Sequence, residues 1–372
     1  MDKYGVALGG GGTKGAYHIG VWKALTELDI EVCAVTGCSI GSVNGALFAQ
    51  NSFEIADKVW HNIVVENVIE VSSSDVGENL FDIKNFSLLI PDVYKHNGLE
   101  TKPFRELLDK FIDEEKIRKS AIDFGLVTFD LADKEERALF IDDIPKGKLV
   151  DYIMASTSMP GLKKTVIDGK EYMDGGIANN IPADMLISKG IKNIIAVDVG
   201  GVGITKGLAP KGTNLISIKS SDKIIGTLDF KRENIEKMMR AGYIDCLKEF
   251  GRLEGKIFAF NISDYHKARQ KYSVKIIEGI EYAAQVFGVD KFRIYKFDDL
   301  LEGVLGTYKK VSKNKGIIID GLKIDEKQLL VKFTGYILGE TLDDTAAKLF
   351  SGLIGDIANA ANSIAYFLTT DK

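Results

Sequence analysis

The 372-residue chain is poor in cysteine, proline, histidine and tryptophan, with three, six, four and two residues respectively. Cys33, Cys38 and Cys246 stand in apolar or helical contexts, their number is odd, and none has metal-ligand spacing. A disulfide framework and a cysteine metal centre are therefore not expected. No run reaches the roughly 18 apolar residues of a membrane-spanning helix. The opening Met1-Asp2-Lys3-Tyr4 lacks the basic region of a secretory signal, and the apolar run after it dissolves into glycines. The expectation is a cytoplasmic protein. A charge surplus is missing too: 48 basic and 53 acidic residues are dispersed along the chain and leave a net charge of −5. That gives no nucleic-acid footprint. No Pro- or Ser-rich linker marks a domain boundary, and there is no internal repeat.

What the chain does have is glycine, 38 residues of it, within an ordinary globular composition of 45% hydrophobic and 27% charged residues. Its length allows one large domain plus an addition. The glycines gather at chemically suggestive places. Tyr4 to Leu8 reads as a strand running into Gly9-Gly10-Gly11-Gly12-Thr13-Lys14-Gly15, and then into a helix with Ile19, Trp22, Leu25 and Leu28 on one face. Consecutive glycines between strand and helix expose backbone N–H groups, which suits a phosphate or an oxyanion. Gly10-x-Gly12-x-x-Gly15 also fits a dinucleotide fingerprint, but Val35 and Thr36 stand where that motif needs an acid. A tight turn with no ligand is the plain alternative.

The second cluster is Gly37-Cys38-Ser39-Ile40-Gly41, between the apolar run 31–36 and the small-residue run 42–49. Strand, Gly-x-Ser-x-Gly and helix is the layout of a nucleophile elbow. The helix N-terminus behind the serine favours developing negative charge. A loop serine or helix cap would give the same five residues. A serine hydroxyl needs a general base, and Asp174-Gly175-Gly176, in a glycine-fixed turn, offers one. A simple β-turn aspartate is the alternative there.

Two strand–loop–helix units in the first 50 residues predict a parallel sheet with helices on its faces. Residues 53–122 read as mostly helical, with a loop at Ser72-Ser73-Ser74 and a turn at Asn97-Gly98. Strands are expected at 124–129, 137–141, 170–173, 194–199 and 214–219, and a helix near 147–157. Beyond about residue 230 long amphipathic helices are expected at 231–250, 273–287 and 344–368, with short strands at 316–319 and 328–333. The apolar face of 344–368 lacks basic flanks and carries small residues, which favours a core or oligomer contact over a bilayer interface.

The three motifs together resemble the patatin-like phospholipases, a family of serine–aspartate dyad lipid acyl hydrolases. The blocks carrying the resemblance are Gly10-Gly11-Gly12-Thr13-Lys14-Gly15, Gly37-Cys38-Ser39-Ile40-Gly41 and Asp174-Gly175-Gly176. Ala155-Ser156-Thr157-Ser158-Met159-Pro160 and Asn180-x-Pro182 also look like the family's flanking pattern. The likeness spans roughly residues 4–200. Lys14 departs from the usual arginine, keeping the charge without the planar fork. The resemblance implies an α/β fold, a mostly parallel sheet sandwiched between helices, as a catalytic domain over 1–262. A helix-rich accessory region over 263–372 lies outside it.

It further implies hydrolysis of carboxylic esters of lipids, of phospholipase A or lysophospholipase type. Ser39 would be the nucleophile and Asp174 the base, with Gly10, Gly11 and Gly12 as oxyanion donors. Lys14 and Gly15 would anchor the loop, and Gly37 and Gly41 would form the elbow. No metal or organic cofactor is implied. The partner would be a lipid or phospholipid, which leaves room for a peripheral membrane contact.

Two rival functions remain. One is an α/β-hydrolase triad of Ser39, Asp174 and His266, although that fold builds several strands before its elbow. His18, His61 and His96 read as structural or surface residues. The other is a non-catalytic lipid or phosphate binder, which would need neither Ser39 nor Asp174.

Overall fold

The computed structural model describes residues 3–70, 98–207, 212–220, 226–313, 319–320, 323–338 and 355–370. The chain divides into two compact units, Met1–Glu249 and Phe250–Lys372.

The first unit is built on an eight-stranded sheet. Its strands are β1 (Tyr4–Leu8), β2 (Val32–Cys38), β3 (Asp123–Asp130), β4 (Glu135–Phe140), β5 (Thr165–Ile167), β6 (Lys170–Asp174), β7 (Asn193–Asp198) and β8 (Asn214–Lys219). The order is β5-β6-β3-β2-β1-β7-β8, with β4 paired to β3. The run β3-β2-β1-β7-β8 is parallel, while β4, β5 and β6 pair antiparallel. This is the expected α/β architecture with a mostly parallel sheet. Central strands buried on both faces read as continuous apolar runs, as β7 does in Ile194-Ile195-Ala196-Val197.

Two helices place the glycine motifs. α1 (Ala16–Glu27) comes after β1, and α2 (Ile40–Ala49) after β2. α1 packs tightly on the helix Arg232–Glu249: a side chain at Gly20 would run into Met239, and one at Gly242 into the carbonyl of Tyr17. Tyr17 closes the contact with a hydrogen bond from its hydroxyl to Asp245 at 2.7 Å.

Leu8 of β1 sits opposite Gly37 of β2 and Val197 of β7. The loops after these three strands therefore leave the sheet at one carboxyl edge, where open α/β sheets place their ligands.

The second unit has its own core, with Phe258, Phe260, Ile277, Ile280, Val304 and Leu330 fully buried. Leu253–Glu254 pairs with Ala259–Asn261, which pairs with Ile294–Tyr295. Phe258 and Phe260 thus belong to this core, on the second side of the division between Glu249 and Phe250. Glu281, fully buried, accepts the backbone N–H groups of Lys256 (3.2 Å), Ile257 (2.6 Å) and Phe258 (2.8 Å).

The strand expected at 328–333 is instead part of a helix, Glu326–Ile337. Asp325 caps it by accepting from Lys327 and Gln328, and the apolar run Leu329-Leu330-Val331 continues at helical spacing to Phe333. The helices expected at 231–250 and 273–287 are found as Arg232–Glu249 and Val274–Val286. Of the helix expected over 344–368, the described part runs Asp356–Thr370 after Gly355 in the left-handed region (φ 86°); 344–354 lie outside the described residues. Its Ala361 and Ile364 are buried in the second core, and Ser363 sits where a side chain at Gly279 would be. The Ser72-Ser73-Ser74 loop, Asn97 and all but the last residue of the 316–319 strand also lie outside the described residues.

Candidate active site

Ser39 is the N-cap of α2 and has φ 53°, ψ −129°. A non-glycine residue held there costs on the order of 1–3 kcal/mol and needs surroundings that over-determine it. The glycines on either side let those surroundings close in. A side chain at Gly37 would run into the carbonyl of Gly41, and one at Gly41 into the carbonyl of Leu8. Backbone partners do the rest. Ser39 N–H donates to Ser156 Oγ at 2.9 Å, and Ser39 C=O accepts from Ser42 N (2.8 Å) and Ser42 Oγ (2.6 Å).

Asp174 reaches the elbow through strand β3. Val127 of β3 pairs with Cys38, and the next residue, Thr128, pairs with Asp174. β2 and β6 occupy successive stretches of the same β3 edge, because β4 holds the other edge from Gly125 to Asp130. The end of β6 therefore abuts the end of β2.

Asp174 is buried, 8% exposed. Burial raises its pKa, and hydrogen bonds from the Ser39 side chain, the Gly176 N–H and the Cys38 thiol oppose that rise. Oδ1 accepts Gly176 N–H at 2.8 Å and lies 3.7 Å from Cys38 Sγ. None of these partners is a histidine. Among the described residues, His18 bonds Asn44, His61 bonds the Asp57 carbonyl and His266 bonds Glu254. His96 lies outside the described residues.

Residues 6–187 match the family model for patatin-like phospholipases. The chain carries a patatin-like phospholipase domain. It is 31% identical over 331 residues, 84% of its length, to the patatin-like phospholipase domain-containing protein ZK370.4 of Caenorhabditis elegans. It is 29% identical over 298 residues, 76% of its length, to patatin-like phospholipase domain-containing protein 6 of Mus musculus. The chain spans about a fifth of these relatives, 22% and 20% of their lengths. Among solved structures, VipD from Legionella pneumophila overlaps 98% of this chain and 90% of its own, with 13% identity and a TM-score of 0.44.

In this patatin-like phospholipase domain the glycine loop is tied down from several sides. Lys14 Nζ donates to the Gly200 carbonyl at 2.7 Å, beyond the end of β7, and burial lowers its pKa against the pull of Asp198. Thr13 N–H donates to Thr227 C=O at 2.8 Å. Gly15 C=O accepts from Asn44 of α2, and a side chain at Gly15 would press on Ile40. Gly10 differs from the sequence expectation: its N–H already donates to Asn180 C=O at 3.1 Å, so it has no donor to spare. Among the described residues, Gly11 and Gly12 N–H have no protein acceptor.

Ser39 lines two recesses. One, about 330 Å³, is shared with Gly11, Gly12, Asp174, Gly176 and Asn180. The other is narrow, about 50 Å³, and mostly apolar, with Trp60, Ile63, Val68, Phe104, Leu162 and Phe230 in its wall. Sequence reading missed this second wall, because its side chains come from segments far apart in the chain and carry no motif. No described helix is long and apolar enough to cross a membrane.

Proposed function

We propose that this domain is a lipid acyl hydrolase that cleaves carboxylic esters through a Ser39 acyl-enzyme. The observation that carries the reading is Ser39 itself: a left-handed elbow serine whose side chain is near enough to buried Asp174 to hold down its pKa, between a polar recess and an apolar one. The family's name points to phospholipid substrates. An acyl chain suits the apolar recess, and the rest of the ester suits the polar one.

In this mechanism Asp174 takes the Ser39 proton as Oγ attacks the ester carbonyl. The N–H groups of Gly11 and Gly12 hold the oxyanion. Asp174 returns the proton to the departing alcohol, which leaves an acyl-serine. A water then gives its proton to Asp174 and attacks the acyl carbon, and the fatty acid leaves as Ser39 recovers its proton. Burial suits Asp174 to the role, since a raised carboxyl pKa makes a stronger base.

A fluorophosphonate probe and p-nitrophenyl ester hydrolysis test the reading together. The wild type should label at Ser39 and turn over; Ser39→Ala and Asp174→Asn should lose several orders of magnitude in kcat. Ordinary turnover by Ser39→Ala would remove the nucleophile assignment. A wild type that binds lipid without labelling would favour the non-catalytic binder.

A further inference from the structure

We propose that Ser156 is a positioning residue for Ser39: its hydroxyl holds the Ser39 backbone N–H and so fixes the turn from which the nucleophile meets Asp174. The proposal rests on the Ser39–Asp174 reading above.

Ser156 is the last residue of the helix Leu149–Ser156 and is fully buried. Its Oγ accepts Ser39 N–H at 2.9 Å and donates its own proton to Val127 C=O at 2.6 Å. The direction of both bonds is thereby set: the Ser156 proton is committed to β3, and a lone pair faces the elbow. Val127 is the residue whose register partner is Cys38, immediately before the nucleophile. Ser156 thus bolts the elbow to the strand that also carries Asp174 into place.

The neighbouring hydroxyls do something else. Thr157 Oγ1 and Ser158 Oγ both return to the Met154 carbonyl, and Ser158 also meets Thr165. Of the three, Ser156 alone crosses to the elbow. It lines neither recess.

Without the Ser156 hydroxyl, the part-buried Ser39 N–H would lose its partner at a residue already in a disfavoured backbone region. The turn would relax, and Oγ would move relative to Asp174 and the oxyanion donors. Misplacement of a reacting group by about 1 Å costs about 10²-fold in rate. Substrate contacts would be untouched, so the loss belongs to kcat.

The test compares Ser156→Thr with Ser156→Val, which share shape and crowding but differ in the hydroxyl, alongside Ser156→Ala. Readouts are kcat and KM on p-nitrophenyl butyrate and the rate of fluorophosphonate labelling at Ser39. Thr should stay within a few-fold of wild type. Val and Ala should lose about 10- to 100-fold in kcat and in labelling rate, with KM unchanged. If Ala fails to fold, the Thr/Val ratio still decides. Equal kcat for Thr and Val, or a loss confined to KM, would overturn the proposal. A wild type that does not label, or an active Ser39→Ala, would instead show that the nucleophile reading itself is wrong.

Discussion

Cys38 Sγ lies 3.7 Å from Asp174 Oδ1, the same oxygen that takes the Gly176 N–H at 2.8 Å. The thiol is fully buried, and burial together with the nearby Asp174 charge pushes its pKa well above the usual thiol value. It therefore stays protonated and acts as a weak donor to the Asp174 carboxylate. The groups facing Asp174 are the Ser39 side chain, the Gly176 N–H and this thiol; Glu136 is felt by Cys38.

The arrangement predicts opposite pH shifts in two variants. Under the proposed mechanism Asp174 works only when deprotonated, so activity should fall on the acid side as pH drops through its raised pKa. Cys38→Ala removes a donor to the carboxylate and should move the acid limb of kcat/KM to higher pH. Cys38→Ser supplies a stronger donor and should move it to lower pH. Limbs that move together, or not at all, would show the thiol to be mere packing.

Gly11→Ala addresses the oxyanion donors. Gly11 has φ 165°, extended backbone open to any residue, and a Cβ there meets only the movable Val199 side chain closely, at 2.7 Å. The fold should survive while the donor is displaced or the recess crowded. Loss of one such donor lowers kcat by about 10²–10³-fold. An unchanged kcat would return the loop to a purely structural role. Gly12→Ala is a poorer probe, because Gly12 has φ 59° and a side chain would collide with the Thr227 carbonyl.

His18 predicts a stability change with pH. Asn44 Nδ2 lies 3.1 Å from His18 Nδ1, while Asn44 Oδ1 accepts from Trp60. The amide nitrogen therefore donates, Nδ1 accepts, and the ring proton sits on Nε2, which has no partner among the described residues. Burial lowers the His18 pKa from 6.5 to about 3. Between those values the unfolded chain binds the proton and the folded chain does not, so stability is lost as pH falls from 6.5 toward 3. The contribution is on the order of a few kcal/mol. In urea unfolding, the advantage of wild type over His18→Leu should shrink across that window. A constant gap would mean that His18 does not titrate between the two states.

Glu281→Ala tests the second core. It would unpair three backbone N–H groups, two of them held at 2.6 and 2.8 Å. Each buried unpaired group costs about 1–3 kcal/mol. A fall in melting temperature of several degrees is expected by differential scanning fluorimetry, and an unchanged value would show that those amides find other partners.

Much of the site was written locally. Short-range sterics shape the turn between a buried strand and a small-residue helix when Gly-x-Ser-x-Gly joins them, so Ser39, Gly37 and Gly41 were readable from their neighbours alone. The same holds for Lys14 at the end of the glycine run, and for the alternation of strands and helices that gives a parallel sheet. The segment 328–333 misled because a run of three apolar residues fits a strand or a helix equally, and the Asp325 cap settles it. Gly10 could not be told from its neighbours, because a run of glycines does not reveal which N–H is spent inside the protein; Asn180, 170 residues away, takes the Gly10 N–H.

The pairing of Ser39 with Asp174 belongs to the tertiary structure. It exists because β6 takes over the β3 edge where β2 leaves it, so that adjacent residues Val127 and Thr128 face Cys38 and Asp174. Ser156 reaches the elbow by the same route, through Val127. Strand register is fixed by burial across the whole sheet, and that is a sum over distant residues that no local motif contains.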